Sequence, residues 1–131
     1  MSAGEAGKEL ARRWLVEGWC GGDLALADQI FAPDFVLRGR RTGPDGPREA
    51  ARRIRASFAG MTVDVDLQVA EGDRVVTHYT AHGRHVAGYR GIPPTGRSAS
   101  ASGIQIWTLR DGLVVADVNV FDEWGLVSQL R

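Results

Sequence analysis

The chain has 131 residues, 44% of them apolar and 24% charged, and its formal net charge is zero. That size and balance predict one soluble globular domain with a substantial core. Zero net charge leaves no electrostatic footprint for nucleic acid or an anionic membrane, so neither is an expected partner.

The N-terminal stretch MSAGEAGKELARRW lacks the apolar core of a signal peptide, and no run of 18 apolar residues occurs anywhere, so the expected location is the cytoplasm. Residues 5–20 predict a helix with Leu10, Trp14 and Gly18 on one stripe. Cys20 is the lone cysteine, which excludes an intrachain disulfide framework, and its tryptophan-rich surroundings suit a buried structural thiol. Gly21-Gly22 stops the helix, and Asp23 suits the N-cap of a second, short helix that carries Leu24 to Ile30 and ends at Pro33. Phe35 to Leu37 predict a brief strand. The loop from Gly39 to Gly46 leads to Pro47 in the first turn of a third helix, which runs to about Phe58.

Everything after Gly60 predicts sheet. Val63, Val65, Leu67 and Val69 alternate with polar residues, as in a half-buried strand. Glu71-Gly72-Asp73 suits a hairpin turn. Arg74 to Val86 is a long strand with Gly83 as an expected bulge, and Tyr89 to Gly96 is a loop stiffened by Pro93-Pro94. Ser98–Leu109 and Leu113–Phe121 are two strands joined at Asp111-Gly112. Helices first and a mostly antiparallel sheet afterwards define an α+β fold.

The last two strands hold the densest candidate chemistry. One puts Gly103, Gln105, Trp107 and Leu109 on a face; the other puts Val115, Asp117, Asn119 and Phe121 on a face. If these faces meet in an apolar cavity, Asp117 has a raised pKa and can trade protons near neutrality. If the face is the solvent side of the hairpin, Asp117 and Asn119 are surface groups. Asp122, before Glu123-Trp124-Gly125, suits a cap or turn. His78 and His82 share a strand face, and His85 follows Gly83. Three histidines in eight residues raise a metal reading, but the strand spacing lacks a helical ligand pattern and no carboxylate pair completes it. His78 is then a candidate acid, base or donor. Trp107 is a candidate flat wall for an aromatic ligand, with Phe121 and His85 beside it as binding residues. One of Arg38, Arg40 and Arg41 is placed to guard a cavity mouth and meet an enolate oxygen. No phosphate loop and no nucleophile elbow is present.

The stretch GRHVAGYRGIPPTGR from Gly83 to Arg97, and the Asp111-Gly112 turn followed about 17 residues later by Gln129-Leu130, resemble the SnoaL-like polyketide cyclases of the nuclear-transport-factor-2-like superfamily. RTGP (Arg41 to Pro44) and RASF (Arg55 to Phe58) extend the likeness more weakly. The resemblance implies a curved sheet closed by the N-terminal helices into a cone with an internal cavity. It also implies no metal or organic cofactor, and a homo-oligomer such as a dimer. Such cyclases close a ring by intramolecular aldol condensation, using an aspartate on the last strand and a histidine on the strand before. Those positions fall here on Asn119 and Gln105, and an amide exchanges no proton at neutral pH. Other members of the family resemble the cyclases in fold and are assigned to ring hydroxylation.

The leading expectation is therefore a cofactor-free tailoring enzyme that hydroxylates a polycyclic aromatic polyketide, with a separate reductase supplying reduced substrate. Catalytic candidates are Asp117, Asn119 and His78; binding candidates are Gln105, Trp107, Phe121 and His85. The alternatives are a cyclase with Asp117 or His78 as base, and a non-catalytic binding or dimerisation module.

Overall fold

A computed structural model describes residues 2–131. Helix α1 (Ala3–Arg13) is N-capped by Ser2 and runs straight into a wider π-helical segment, Trp14–Cys20. The sequence stripe ends in Gly18 for a reason. A Cβ there would lie 2.3 Å from the Trp14 ring, so only glycine lets that ring lie flat on the wide turn. Such π segments often accompany functional sites, and Trp14, Leu15 and Trp19 of this one face the cavity described below. A 3₁₀ turn (Leu24–Leu26) leads into α2 (Ala27–Ile30); Asp23 precedes the turn without making the expected side-chain cap. The helix ends at Ile30, before Pro33, and the strand begins early: β1 spans Phe31–Leu37 with Pro33 inside it. Then come β2 (Arg40–Arg41), α3 (Asp45–Ser57), β3 (Phe58–Glu71), β4 (Arg74–His85), β5 (Ser98–Arg110), β6 (Leu113–Phe121) and α4 (Glu123–Leu130).

The six strands form one sheet in the order β2-β1-β6-β5-β4-β3. All neighbours are antiparallel except β1 and β6, which run parallel. The sheet is curved and unclosed, and with the N-terminal helices it makes the α+β cone that the sequence suggested. Gly83 is not a bulge: β4 pairs with β5 in unbroken register through it, and the irregularities fall on β3 after Ala59 and after Val65. Gly83 instead answers a close approach, since a Cβ there would sit 3.1 Å from Phe58 Cβ. Asp111 (φ 53) and Gly112 (φ 78) both have left-handed backbone, the geometry of a tight turn matched to strand twist. Asp122 caps α4, accepting from Gly125 N–H at 2.9 Å.

An aromatic stack closes the narrow end of the cone. Phe31 touches Trp14, Phe35 and Trp107 edge-on, with centroids 5.2, 4.9 and 5.5 Å away. Burying each such side chain contributes about 1.5–3 kcal/mol. A second cluster, Phe58, Ala99, Leu126 and Leu130, docks α4 onto the far end of β5. Between the two clusters the interior is left open.

Candidate functional site

The opening is a cavity of about 580 Å³ between the helices and the inner face of β4–β6. Register decides which groups meet on its floor. Thr77, Gln105 and Asn119 lie in one cross-strand row; Tyr79, Gly103 and Phe121 fill the next; Val75, Trp107 and Asp117 fill the row on the other side. Gln105, Asp117, Asn119 and Phe121 all line the cavity, as do Tyr79 and Arg38. The walls opposite are apolar: Trp14, Leu15 and Trp19 from the π-helical segment, Ile54 from α3, Phe58 and Met61 from β3.

Asp117 is the ionisable group of this floor. Burial pushes its carboxyl up to about 7, against a smaller downward pull from the Arg38 guanidinium and a still smaller one from the Trp107 indole. Its Oδ1 is buried without a hydrogen-bond partner, and so is Trp107 Nε1, so their approach falls short of a formed bond. Arg38 reaches the site because β1 pairs with β6 at Leu37 and Asp117, which sets the turn after β1 beside the carboxylate. Its backbone is left-handed (φ 52), an uncommon conformation for a non-glycine residue.

Asn119 is held by its neighbour. The Tyr79 hydroxyl donates to Asn119 Oδ1 at 2.9 Å. Burial raises the Tyr79 phenol above its usual range, the Asn119 bond opposing this, so the hydroxyl stays protonated. Trp19 packs edge-on against the Tyr79 ring at 5.8 Å. Gly103 makes room for it, since a Cβ there would lie 2.4 Å from the tyrosine Cζ and hydroxyl. Gln105 is 3% exposed, and its Oε1 has no partner. At the other end of the cavity, Glu123 accepts from the Tyr89 hydroxyl at 2.9 Å and pairs with Arg90 at 3.0 Å.

Three expected site residues lie elsewhere. Trp107 is fully buried in the core against Phe31, so it closes the cone and offers no face to the cavity. His78 points to the outer face, because β4 alternates and its inward positions are Val75, Thr77 and Tyr79; its Nε2 meets Ser102 Oγ at 2.9 Å. His85 is fully buried beside Phe58, its Nδ1 accepting from Thr95 N–H at 3.2 Å, and it does not line the cavity. The histidines do not converge: His82 meets Asp64 on the outer face at 2.8 Å. Cys20 is buried, and burial lifts its thiol to about 11, Arg55 opposing, as suits an inert structural thiol. The residue that the sequence reading missed is Tyr79. Its signal was the alternation Val75, Thr77, Tyr79, Ala81, which marks it as inward where His78 and Thr80 are outward.

A groove of about 470 Å³ at the sheet rim, lined by Gly60, His82, Arg84 and Ser100, opens broadly to solvent and holds none of the buried unpartnered atoms.

Cone, cavity and floor define an α+β scaffold built around an internal pocket. The chain belongs to the SnoaL-like polyketide cyclase family, whose model matches residues 9–130. It is 27% identical over 109 residues, 79% of this chain and 81% of the relative, to nogalonic acid methyl ester cyclase from Streptomyces nogalater. Among solved structures it resembles TsrD from Streptomyces laurentii, with 30% identity, a TM-score of 0.87 and coverage of 96% of this chain and 95% of that one. It also shares the fold of AclR from Streptomyces galilaeus, a candidate hydroxylase, with 24% identity, a TM-score of 0.84 and coverage of 98% and 97%. Family membership implies a small-molecule polyketide as substrate. No helix is long and apolar enough to cross a membrane among the described residues.

Proposed function

We propose that the chain is a cofactor-free tailoring enzyme that ionises a phenolic or enolisable polycyclic polyketide, with Asp117 as the base, and that the reaction is ring hydroxylation. The observation that carries this reading is Asp117 itself: a carboxyl on the cavity floor, facing apolar walls, with an unmet oxygen and a pKa of about 7. A base of that strength is half ionised at neutral pH and takes a proton from a ring hydroxyl when neighbours stabilise the anion. Asn119 and Arg38 are placed to do so, by an amide hydrogen bond and by charge. The electron-rich anion then reacts at carbon with dioxygen to give a ring hydroperoxide. A partner reductase supplies the reduced substrate and the two electrons that, with two protons, cleave the O–O bond, leaving one oxygen on the ring and releasing the other as water. Hydroxylation is preferred because Asn119 and Gln105 stand where the resembling cyclases carry their aspartate and histidine.

Aldol ring closure is the second reading. It is favoured by the 27% identity to a cyclase and by Asp117 standing on the same strand face, two residues before the amide. Both reactions begin with proton removal by Asp117, from a ring hydroxyl in hydroxylation and from a carbon beside a carbonyl in ring closure. The proposal includes a homodimer: Ile104, Val118 and Val120 on the outer face are 47%, 56% and 68% exposed, an apolar surface that a second copy would cover.

The test is turnover of a reduced polycyclic quinone, with a reductase, under labelled dioxygen. One labelled oxygen in the product and no anaerobic turnover are expected. Full anaerobic conversion of a keto-ester substrate would replace hydroxylation by cyclisation. Undiminished turnover in Asp117→Asn would end both readings, and binding without turnover of either substrate would leave a non-catalytic module.

A further inference from the structure

We infer that the cavity takes a polycyclic substrate bearing a free carboxylate, held at the mouth by Arg38 with Arg53 assisting, and that the corresponding methyl ester is a weaker ligand. The inference rests on the cavity being the polyketide site, and it adds a charge to that substrate. The first observation is in the backbone. Among the described residues, three that are not glycine have left-handed backbone: Arg38 (φ 52), Arg90 (φ 49) and Asp111 (φ 53). Each is followed by a left-handed glycine. Each pair forms the tip of a two-residue turn, between Leu37 and Arg40, Tyr89 and Ile92, and Arg110 and Leu113. Such turns favour Asn, Asp or Gly in the first place, and Asp111 obeys that rule. An arginine there is strained by its Cβ, and its long side chain lacks the local hydrogen bond that a short polar one makes. Both arginine tips line the cavity, and the aspartate tip does not. Local rules broken beside a cavity point to a use for the side chain.

Arg90 shows what that use is. Its guanidinium pairs with the Glu123 carboxylate at 3.0 Å. Arg38 has no such partner. Among the described residues no carboxylate pairs with it, nor with Arg53, which lines the cavity from α3. Asp117 feels the Arg38 charge without pairing with it, and burial leaves its carboxyl half neutral near pH 7. The cavity is thus lined by Arg38, Arg53 and Arg90 against Glu123 and a half-ionised Asp117, an excess of positive charge in a chain whose net charge is zero. A guanidinium fork matches a planar carboxylate two bonds at a time, and the apolar walls behind it suit the rings that carry the carboxylate. Because Leu37 pairs with Asp117, Arg38 stands beside that carboxyl. The bound acid group then lies next to the ring hydroxyl from which Asp117 takes a proton.

The probes are 1-hydroxyanthraquinone-2-carboxylate and its methyl ester, which differ in charge at one ring position. Each is titrated at neutral pH into wild type, Arg38→Asn and Arg53→Gln. Trp14 and Trp19, which line the cavity, report binding by fluorescence quenching. Wild type is expected to bind the acid about tenfold more tightly than the ester, the worth of one charge-assisted pair. Arg38→Asn should abolish that preference, weakening the acid about tenfold and the ester less than about twofold. Arg53→Gln, at a more exposed pair, should weaken the acid about two- to threefold. Asparagine suits left-handed backbone, so Arg38→Asn should also raise the melting temperature, by about 2–4 °C. A fall instead would mean that the arginine serves the turn, and would overturn the inference. So would equal binding of acid and ester by wild type, or equal loss of both in Arg38→Asn. Acid-selective binding by a protein that turns over no substrate would leave this inference standing and end the catalytic reading. Turnover by a protein that binds acid and ester alike would do the reverse.

Discussion

The sheet carries opposite chemistry on its two faces, the outer one across β3 to β5 and the inner one across β4 to β6. On the outer face the polar groups satisfy one another: His78 meets Ser102, His82 meets Asp64, and Thr80 donates to Asp66 at 2.7 Å. On the inner face Gln105 Oε1 and Asp117 Oδ1 are buried with nothing to meet. Partnered polar groups in water contribute little and need no ligand; unpartnered ones in a cavity imply that something else completes them. This contrast is why the proposed site lies on the inner face, although the outer face holds two of the three histidines.

The contrast breaks most plainly at Asp117. Asp117→Asn keeps the shape and removes the base, so turnover is expected to fall by about 10²–10⁴-fold, with binding of 1-hydroxyanthraquinone little changed. In the wild type, turnover should rise with pH through about 7 as the carboxyl ionises. Steady-state rates across pH for both proteins check this.

Stability should move the other way. The folded carboxyl binds its proton more tightly than the unfolded one, so the neutral form is at home in the cavity below about pH 4, and stability is lost as pH rises through about 7. Asp117→Asn removes that dependence. It is expected to raise stability at pH 8 by about 2–4 kcal/mol and to change it little at pH 4, as denaturant unfolding at the two pH values would show. Gly103→Ala should cost about 1–3 kcal/mol, because the new methyl meets the Tyr79 ring; thermal unfolding measures it. The smallest effect is expected outside: His78→Gln should leave turnover within about twofold and stability within about 0.5 kcal/mol.

Much of this was legible in the chain. Period-2 patterning gave β3 to β6, Asp111-Gly112 gave the turn, and the spacing that put Gln105, Asp117 and Asn119 together is what register produces. Period alone does not say which face is inner. That is decided by the helices packed above, and so the inward place on β4 fell to Tyr79, which had no expected role, and not to its neighbour His78. Trp107 shares a face with Gln105, yet one row further along the cone narrows and Phe31 fills the space. His85 failed for a similar reason: Phe58 and the loop at Thr95 enclose it. These are consequences of depth along the cone, which depends on contacts distant in sequence.

Asp117 is the buried carboxyl, poised near neutrality, on which the proposed chemistry rests. Its titration, followed by the ¹³Cγ chemical shift with Asp117→Asn to assign the resonance, tests that most directly. A midpoint close to 7 is the result expected here, and a midpoint close to 4, as for a carboxylate in water, would contradict it.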